Sequence, residues 1–300
     1  MVIEVIDCVT KILPKEIKDS VELLEEKENI TEIRLRVGKN VRVYCGKIEK
    51  TLNQNVTKQH LIKILSNISS NSIYSVQNDI NKGFVTIEGG NRIGVAGEIV
   101  VLDGKIKNIK EICSMNIRVS KEYIGISNSI MDNVVKEGVV KNTIIISPPG
   151  LGKTTLLRDI IRNLSECGYN VSVIDERGEI AAMYEGKPSL NLGERTDVIS
   201  SVDKVTGMQM AVRSLAPDVI CTDEIGDAQD VEAIKYICKS GVAFITTVHG
   251  KSIEDIQRGT MKQIIAEGYL DTAIVLSKKC GIGSIEKIYT NLNMMEESKC

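Results

Sequence analysis

The stretch T-I-I-I-S-P-P-G-L-G-K-T-T-L-L-R-D-I, residues 143–160, decides the fold of this chain. Three isoleucines, Ile144 to Ile146, form a short apolar run that reads as a buried strand. It ends at Ser147-Pro148-Pro149-Gly150-Leu151-Gly152-Lys153-Thr154-Thr155. Behind that loop, Leu157, Ile160, Ile161 and Leu164 fall at i, i+3, i+4 and i+7, the spacing of one helix face. Strand, glycine-rich turn and helix in that order are the context a phosphate-binding loop needs. Gly150 and Gly152 allow the tight curl that aims N–H groups at phosphate oxygens, and the helix dipole adds favourable potential. Lys153 would reach the β- and γ-phosphates of ATP, and the Thr154 hydroxyl would help hold Mg²⁺. The tripeptide G-K-[ST] alone is weak, since it arises by chance on the order of 0.1 times in such a chain. Its context carries the reading, and a plain glycine-rich strand–helix turn is the alternative.

Moving outward, short apolar strands alternate with amphipathic helices after Ser127: Thr143–Ile146, Leu156–Leu164, Val171–Ile174, Val205–Leu215, Val219–Thr222, Val231–Cys238 and Val242–Thr247. That alternation predicts a doubly wound, mostly parallel sheet with helices on both faces. In such sheets ligands sit at the carboxyl ends of strands. Val171–Ile174 runs into Asp175-Glu176-Arg177-Gly178-Glu179, and Val219–Thr222 runs into Asp223-Glu224. Hydrolysis of ATP needs a carboxylate to orient or deprotonate water. Glu176, Glu179 and Glu224 are all candidates, with Asp223 expected to hold the water shell of Mg²⁺. A solvated charged loop is the plainer reading of the first acidic run. His249, after the apolar run 242–247, would sense the γ-phosphate or position the acids, or else serve as an ordinary turn residue.

The first 124 residues read differently, as an α+β accessory domain, with residues 125–300 forming the core. A helix is expected from Pro14 to near Glu28, with Pro14 in its first turn. Thr31–Val37 alternates, Ile33 and Leu35 opposite Glu32, Arg34 and Arg36, and Gly38-Lys39-Asn40 turns the chain into Val41–Cys45. Polar helices are expected next, then strands at Phe84–Ile87 and Ile93–Leu102 with a hairpin turn at Asp103-Gly104.

Composition narrows the function. The chain has 300 residues, a formal net charge of −2 and 42% hydrophobic residues, ordinary for a globular protein. No apolar run approaches the roughly 18 residues of a membrane-spanning helix, and the N-terminal stretch is unlike a signal peptide. A cytoplasmic chain is therefore expected. Eight cysteines without a Cys-x-x-Cys pair argue against zinc or a disulfide framework. Tryptophan is absent and phenylalanine occurs twice, so stacking platforms for single-stranded nucleic acid are scarce.

Taken together, S-P-P-G-L-G-K-T-T-L-L-R-D-I from Ser147, I-D-E-R-G-E-I from Ile174, R-S-L-A-P-D-V-I-C-T-D-E-I-G-D from Arg213 and T-T-V-H-G from Thr246 resemble the stage III sporulation protein AA family. In the first half I-T-E-I-R-L-R-V-G-K-N-V-R-V from Ile30, G-F-V-T-I-E-G-G-N-R-I-G-V-A-G-E from Gly83 and N-I-R-V-S from Asn116 extend the likeness. That family looks like a branch of the secretion-superfamily ATPases, relatives of type II and type IV secretion and pilus motors. The resemblance implies a RecA-like ATPase core behind the accessory domain, using ATP and Mg²⁺. It implies a hexameric ring, peripheral to a membrane channel complex around a developing forespore and built with membrane-protein partners. In such rings arginines from a neighbour or from the accessory domain complete the site, and Arg92, Arg118, Arg195 and Arg213 are the positions to test. Two departures stand out: Ser147 replaces the usual first glycine of the loop, and the zinc-binding insertion of some pilus motors is missing. Nucleic acid as a partner is disfavoured by the charge and the scarce aromatics.

Overall fold

The computed structural model describes residues 5–69, 83–102, 105–279 and 283–292. It divides into two compact units, residues 1–121 with 182–189, and residues 122–181 with 190–300. The segment 182–189, which the sequence reading leaves in the second half, closes on itself through paired Tyr184 and Lys187 backbone bonds of 2.9 and 3.0 Å. Nothing in its letters marks so short a pairing.

The first unit opens with α1 (Val5–Ile12) and α2 (Lys15–Glu22). The helix expected to reach Glu28 ends six residues sooner, and Lys27–Asn29 forms a separate 3-10 turn. Pro14 is the residue before the helix rather than in its first turn, in extended conformation at φ −56° and ψ 147°. Strands β1 (Ile30–Arg36), β2 (Asn40–Cys45) and β3 (Ile48–Asn55) follow, then α3 (Lys58–Ile68), β4 (Phe84–Ile87), β5 (Asn91–Leu102) and β6 (Lys105–Arg118). They form one antiparallel sheet in the order β3-β2-β1-β6-β5-β4. Period-2 alternation does its work here: Ile33 and Leu35 are fully buried with Val41, Val43, Ile93 and Ile117, beneath Ile17, Val21, Leu61 and Ile64 from the helices. β3 corrects the expectation of helix directly after Cys45. Its sequence I-E-K-T-L-N-Q-N buries only Leu52 in the core, and it is a strand because the turn at Gly46 (φ 63°) lays it against β2. The expected turn at Asp103-Gly104 lies outside the described residues.

The second unit holds α4 (Met131–Val134), the small hairpin β7 (Val135–Lys136) and β8 (Val139–Val140), then β9 (Thr143–Ser147), α5 (Lys153–Glu166), β10 (Val171–Asp175), β11 (Thr196–Ser200) and α6 (Lys204–Ser214). It continues with β12 (Val219–Glu224), α7 (Ala228–Lys239), β13 (Ala243–His249), α8 (Ile253–Arg258), α9 (Lys262–Ala266), β14 (Thr272–Ser277) and β15 (Ser284–Tyr289). Apart from β7 and β8, its strands make one sheet, ordered β11-β10-β12-β13-β9-β14-β15. Every pair is parallel except β14 with β15. β9 and β10 are buried at all five positions, which is why they read as mostly apolar and not as alternating strands. One face carries Ile144, Ile146, Ile174, Ile220 and Phe244 under α6 to α9. α5, with Leu157, Ile160, Ile161 and Leu164 fully buried, packs on β9, β10, β12 and β13 and is not among the residues of that layer. The doubly wound expectation is met, with helices on both faces.

A polar knot fixes α5 to the segment that precedes the sheet. The buried carboxylate of Asp159 accepts from Gly125 N (2.9 Å), Ser127 N (2.8 Å), the Ser127 hydroxyl (2.7 Å) and Arg162 Nε (2.9 Å). Burial opposes its ionisation, but these bonds outweigh burial and hold the carboxyl below the ordinary aspartate range. A lowered folded pKa means the stabilisation is complete above the ordinary value of about 3.9 and is lost as pH falls through the folded one. Asp159→Asn should therefore cost about 2–4 kcal/mol at pH 7, the loss of a satisfied buried charge beside Arg162. The gap from wild type in urea unfolding should close as pH falls below about 3.9.

Candidate functional site

β9 delivers the chain to the loop with Ser147 fully buried, its hydroxyl donating to the Pro148 carbonyl at 2.7 Å. The backbone then turns left-handed at Gly150 (φ 72°) and again at Gly152 (φ 88°), conformations that cost a side-chain-bearing residue about 1–2 kcal/mol. Leu151 between them is buried and pins the curl. Gly152 caps α5, and no side chain accepts from the first turn. The first helical bond is Leu156 N to Gly152 O at 2.9 Å. The N–H groups of Lys153, Thr154 and Thr155 thus have no intrahelical acceptor, at the positive end of a fourteen-residue helix. Ser147, in place of a first glycine, occupies an ordinary strand position and does not carry the curl.

The end of β12 is irregular. Thr222 is level with Thr246 of β13, and Glu224 with Thr247, so two steps on β12 match one on its neighbour. Asp223 is the extra residue of a bulge, and bulges re-aim side chains beside functional sites. Its carbonyl is taken by the Thr246 hydroxyl at 2.6 Å. The bulge releases Asp223 and Glu224 from the opposite faces that adjacent strand residues otherwise take. Glu224 forms an ion pair with Lys153, whose side chain is 13% exposed. Asp223 is buried, and among the described residues neither of its carboxylate oxygens has a hydrogen-bond partner. Burial pushes its carboxyl up to about 6, with Asp175 and Glu176 adding to the rise and Lys204 and Arg177 opposing it. A buried carboxylate left unpaired is a place where a cation would be welcome. A hard cation such as Mg²⁺, which keeps most of its waters and takes few protein ligands, would suit such an oxygen donor.

After β10 the acidic run is a tightly tied loop. Asp175, fully buried, accepts from Glu179 N (2.9 Å), Ile180 N (3.2 Å) and Ala181 N (2.9 Å). Arg158 of α5 donates to the carbonyls of Glu179 and Ile180, each at 2.9 Å. The exposed side chains of Glu176 and Glu179 therefore stand on a rigid base joined to α5. Lys204, which sequence reading missed, lies among these acids with its side chain 10% exposed. It donates to Glu224 O at 2.7 Å and stands 3.2 Å from Asp230 and 3.7 Å from Glu176. Its only sequence signal is a cation at a helix start, the unfavourable end of the dipole.

His249 ends β13 level with Ser147, exposed at the same strand edge as the loop. Arg213 is not brought there. It is exposed in the last turn of α6, about 14 Å along the axis from Lys204. Arg195 immediately precedes β11, whose first residue is level with Val171, so it lies at the amino edge of the sheet. In the first unit Arg92 stacks over the Phe84 ring at 5.0 Å and is level with Arg118, itself level with Glu32.

A family model described as sporulation stage III, protein AA, matches residues 4–295. The chain belongs to that family. The stage III sporulation protein AA of Bacillus subtilis (strain 168) is 34% identical over 290 residues, spanning 94% of each chain. Among solved structures, the Yersinia pseudotuberculosis ATPase DotB is similar at a TM-score of 0.63 and 15% identity, over 95% of this chain and 83% of that one. The pilus retraction motor PilT, solved with ADP, is similar at 0.58 and 17%, over 87% and 76%. At such identities the likeness is one of fold: this sporulation-family chain has a RecA-like core folded as in those ATPase structures, with a smaller N-terminal α+β domain.

The unpaired Asp223 has a measurable signature. With its pKa raised, its charged form destabilises the fold above about pH 6, and the cost vanishes below the unfolded value. Asp223→Asn should stabilise the family member at pH 8 by about 1–3 kcal/mol while flattening that pH dependence. Unfolding curves at pH 5 and pH 8 check both parts.

Proposed function

We propose that this chain is an ATP-hydrolysing motor of the secretion type, energising assembly or transport by a sporulation channel complex at the mother cell–forespore membrane. The observation that carries the reading is the meeting of Lys153 and Glu224 at the uncapped start of α5. A cation at the start of α5 and a carboxylate at the end of β12 converge where three backbone N–H groups have no intrahelical acceptor, which suits a phosphate chain and an attacking water.

The residues divide the work. Gly150 and Gly152 let the loop amides bind phosphate oxygens, and Lys153 exchanges Glu224 for the β- and γ-phosphates. That exchange frees Glu224 to orient water, with Glu176 and Glu179 on the neighbouring loop as the other candidates for the base. His249, at the strand edge with Ser147, is suited to sensing the γ-phosphate. Thr154 and Asp223 are the residues that would hold Mg²⁺, which would supply positive charge against the negative charge developing on the phosphates. Arg213 and Arg195 lie away from the loop of their own subunit, which supports a role only towards a neighbouring copy, as in a hexameric ring. Arg92 and Arg118 are proposed for the same role from the accessory domain. No helix among the described residues is long and apolar enough to cross a membrane, in keeping with a cytoplasmic protein bound peripherally to membrane-protein partners.

Lys153→Ala should reduce ATP hydrolysis by the oligomerised protein at least about 10²-fold, as read by phosphate release. Equal turnover in both proteins sinks the motor reading, and ATP binding with no turnover in either leaves a nucleotide-binding scaffold. Among Glu176→Gln, Glu179→Gln and Glu224→Gln, the base is the position with the largest fall in kcat at unchanged nucleotide affinity. Strong stimulation by single-stranded DNA or RNA would point instead to a nucleic-acid motor.

A further inference from the structure

Lys204 is placed where a lysine is expensive. It is the first residue of α6, the end of the dipole that disfavours a cation, and its side chain is 10% exposed. Burial costs hydration and the rotamer freedom of a long chain. Asp203 already caps the helix, accepting from Thr206 N at 2.9 Å, so α6 does not need the lysine to begin.

One main-chain acceptor and two carboxylates surround its ammonium, and they come from three different elements. The Glu224 carbonyl lies at 2.7 Å, at the end of β12. Asp230 Oδ2 lies at 3.2 Å, in the first turn of α7, and the same carboxylate oxygen accepts from Gly226 N at 2.9 Å. Glu176 Oε2 lies at 3.7 Å, on the loop after β10. An ion pair serving α7 alone would require only Asp230. The bond to a main-chain carbonyl is the informative one, because the side chain of that same residue reaches Lys153. The path from Lys153 through Glu224 and Lys204 to Glu176 joins the phosphate loop to the acidic loop.

We propose that Lys204 is a positioning residue: by tying the Glu224 carbonyl and Glu176 to the start of α7, it sets where both glutamates stand against the phosphate loop. This rests on the ATPase reading above. Lys204 touches no reacting atom; it acts through the two carboxylates, so it should govern turnover rather than nucleotide affinity. Misplacing a catalytic group by about 1 Å can cost about 10²-fold in rate.

The test compares wild type, Lys204→Met, Lys204→Arg and Asp230→Asn in the full chain, measuring kcat and KM for ATP, ADP affinity by calorimetry, and the thermal midpoint. In Lys204→Met, kcat should fall at least about tenfold while KM and ADP affinity stay within about threefold. Lys204→Arg should recover part of kcat, since it restores charge and donors with a different fork. Asp230→Asn, which keeps an acceptor for Gly226 N, should lower kcat by a smaller factor at unchanged KM. If folded Lys204→Met retains wild-type kcat, or loses kcat and ADP affinity alike, the positioning role is overturned and the ATPase reading stands. If Lys204→Met does not fold, Asp230→Asn decides, and an unchanged kcat there overturns the role. Wild type no more active than Lys153→Ala overturns the ATPase reading itself and this inference with it.

Discussion

A chain leaving a fully buried parallel strand has to turn sharply before it can enter a helix that packs back onto the same sheet. Between Ser147 and Lys153 it does so with two left-handed glycines around one buried leucine. That turn leaves α5 without a side-chain cap, so its first N–H groups, which most helices satisfy locally, are available to something else. The rest of the second unit is arranged about that edge. β12 brings Asp223 and Glu224 to it, β10 brings the loop held by Asp175, and β13 brings His249 level with Ser147. Parallel strands end together, so residues distant in sequence share one rim.

The carboxyl edge is poorly satisfied at one carboxylate among the described residues and heavily satisfied around it. Asp223 keeps two buried oxygens without partners among the described residues, whereas Asp175, one strand away, is saturated by three backbone amides. Such contrast between neighbouring carboxylates is what separates a group held in reserve from one that builds the loop. Arg158 and Lys204 then connect the parts, one joining α5 to the acidic loop and the other joining that loop to the end of β12. Family membership and the RecA-like fold shared with DotB and PilT agree with the architecture; the distribution of satisfied and unsatisfied groups adds the chemical argument.

Much of this was legible in the letters because it depends on local patterning. A run such as Ile144–Ile146 has to be buried, i, i+3, i+4 spacing after a glycine-rich turn has to be a helix packed on a sheet, and β–α alternation leaves few topologies. Hence the core strands, α5, the loop and the acidic strand ends could all be placed by reading. The same patterning failed where an element owes its form to its neighbours. β3 buries a single apolar residue, Leu52, and is a strand through pairing with β2, and α2 stops at Glu22 although acidic, helix-favouring letters continue.

What the sequence alone determined, then, was the class of fold and the identity of the residues at the carboxyl edge, since both follow from hydrophobic period and chain order. Which of those residues meet was decided only in three dimensions. The pairing of Lys153 with Glu224, the bulge at Asp223, the tie from Lys204 to three elements, and the separation of Arg213 from the loop depend on register between strands and on where helices begin. Register is set by the packing of the whole sheet, and a single bulged residue changes which way the next side chain points. No local pattern in D-E-I-G-D or in V-D-K-V encodes that outcome.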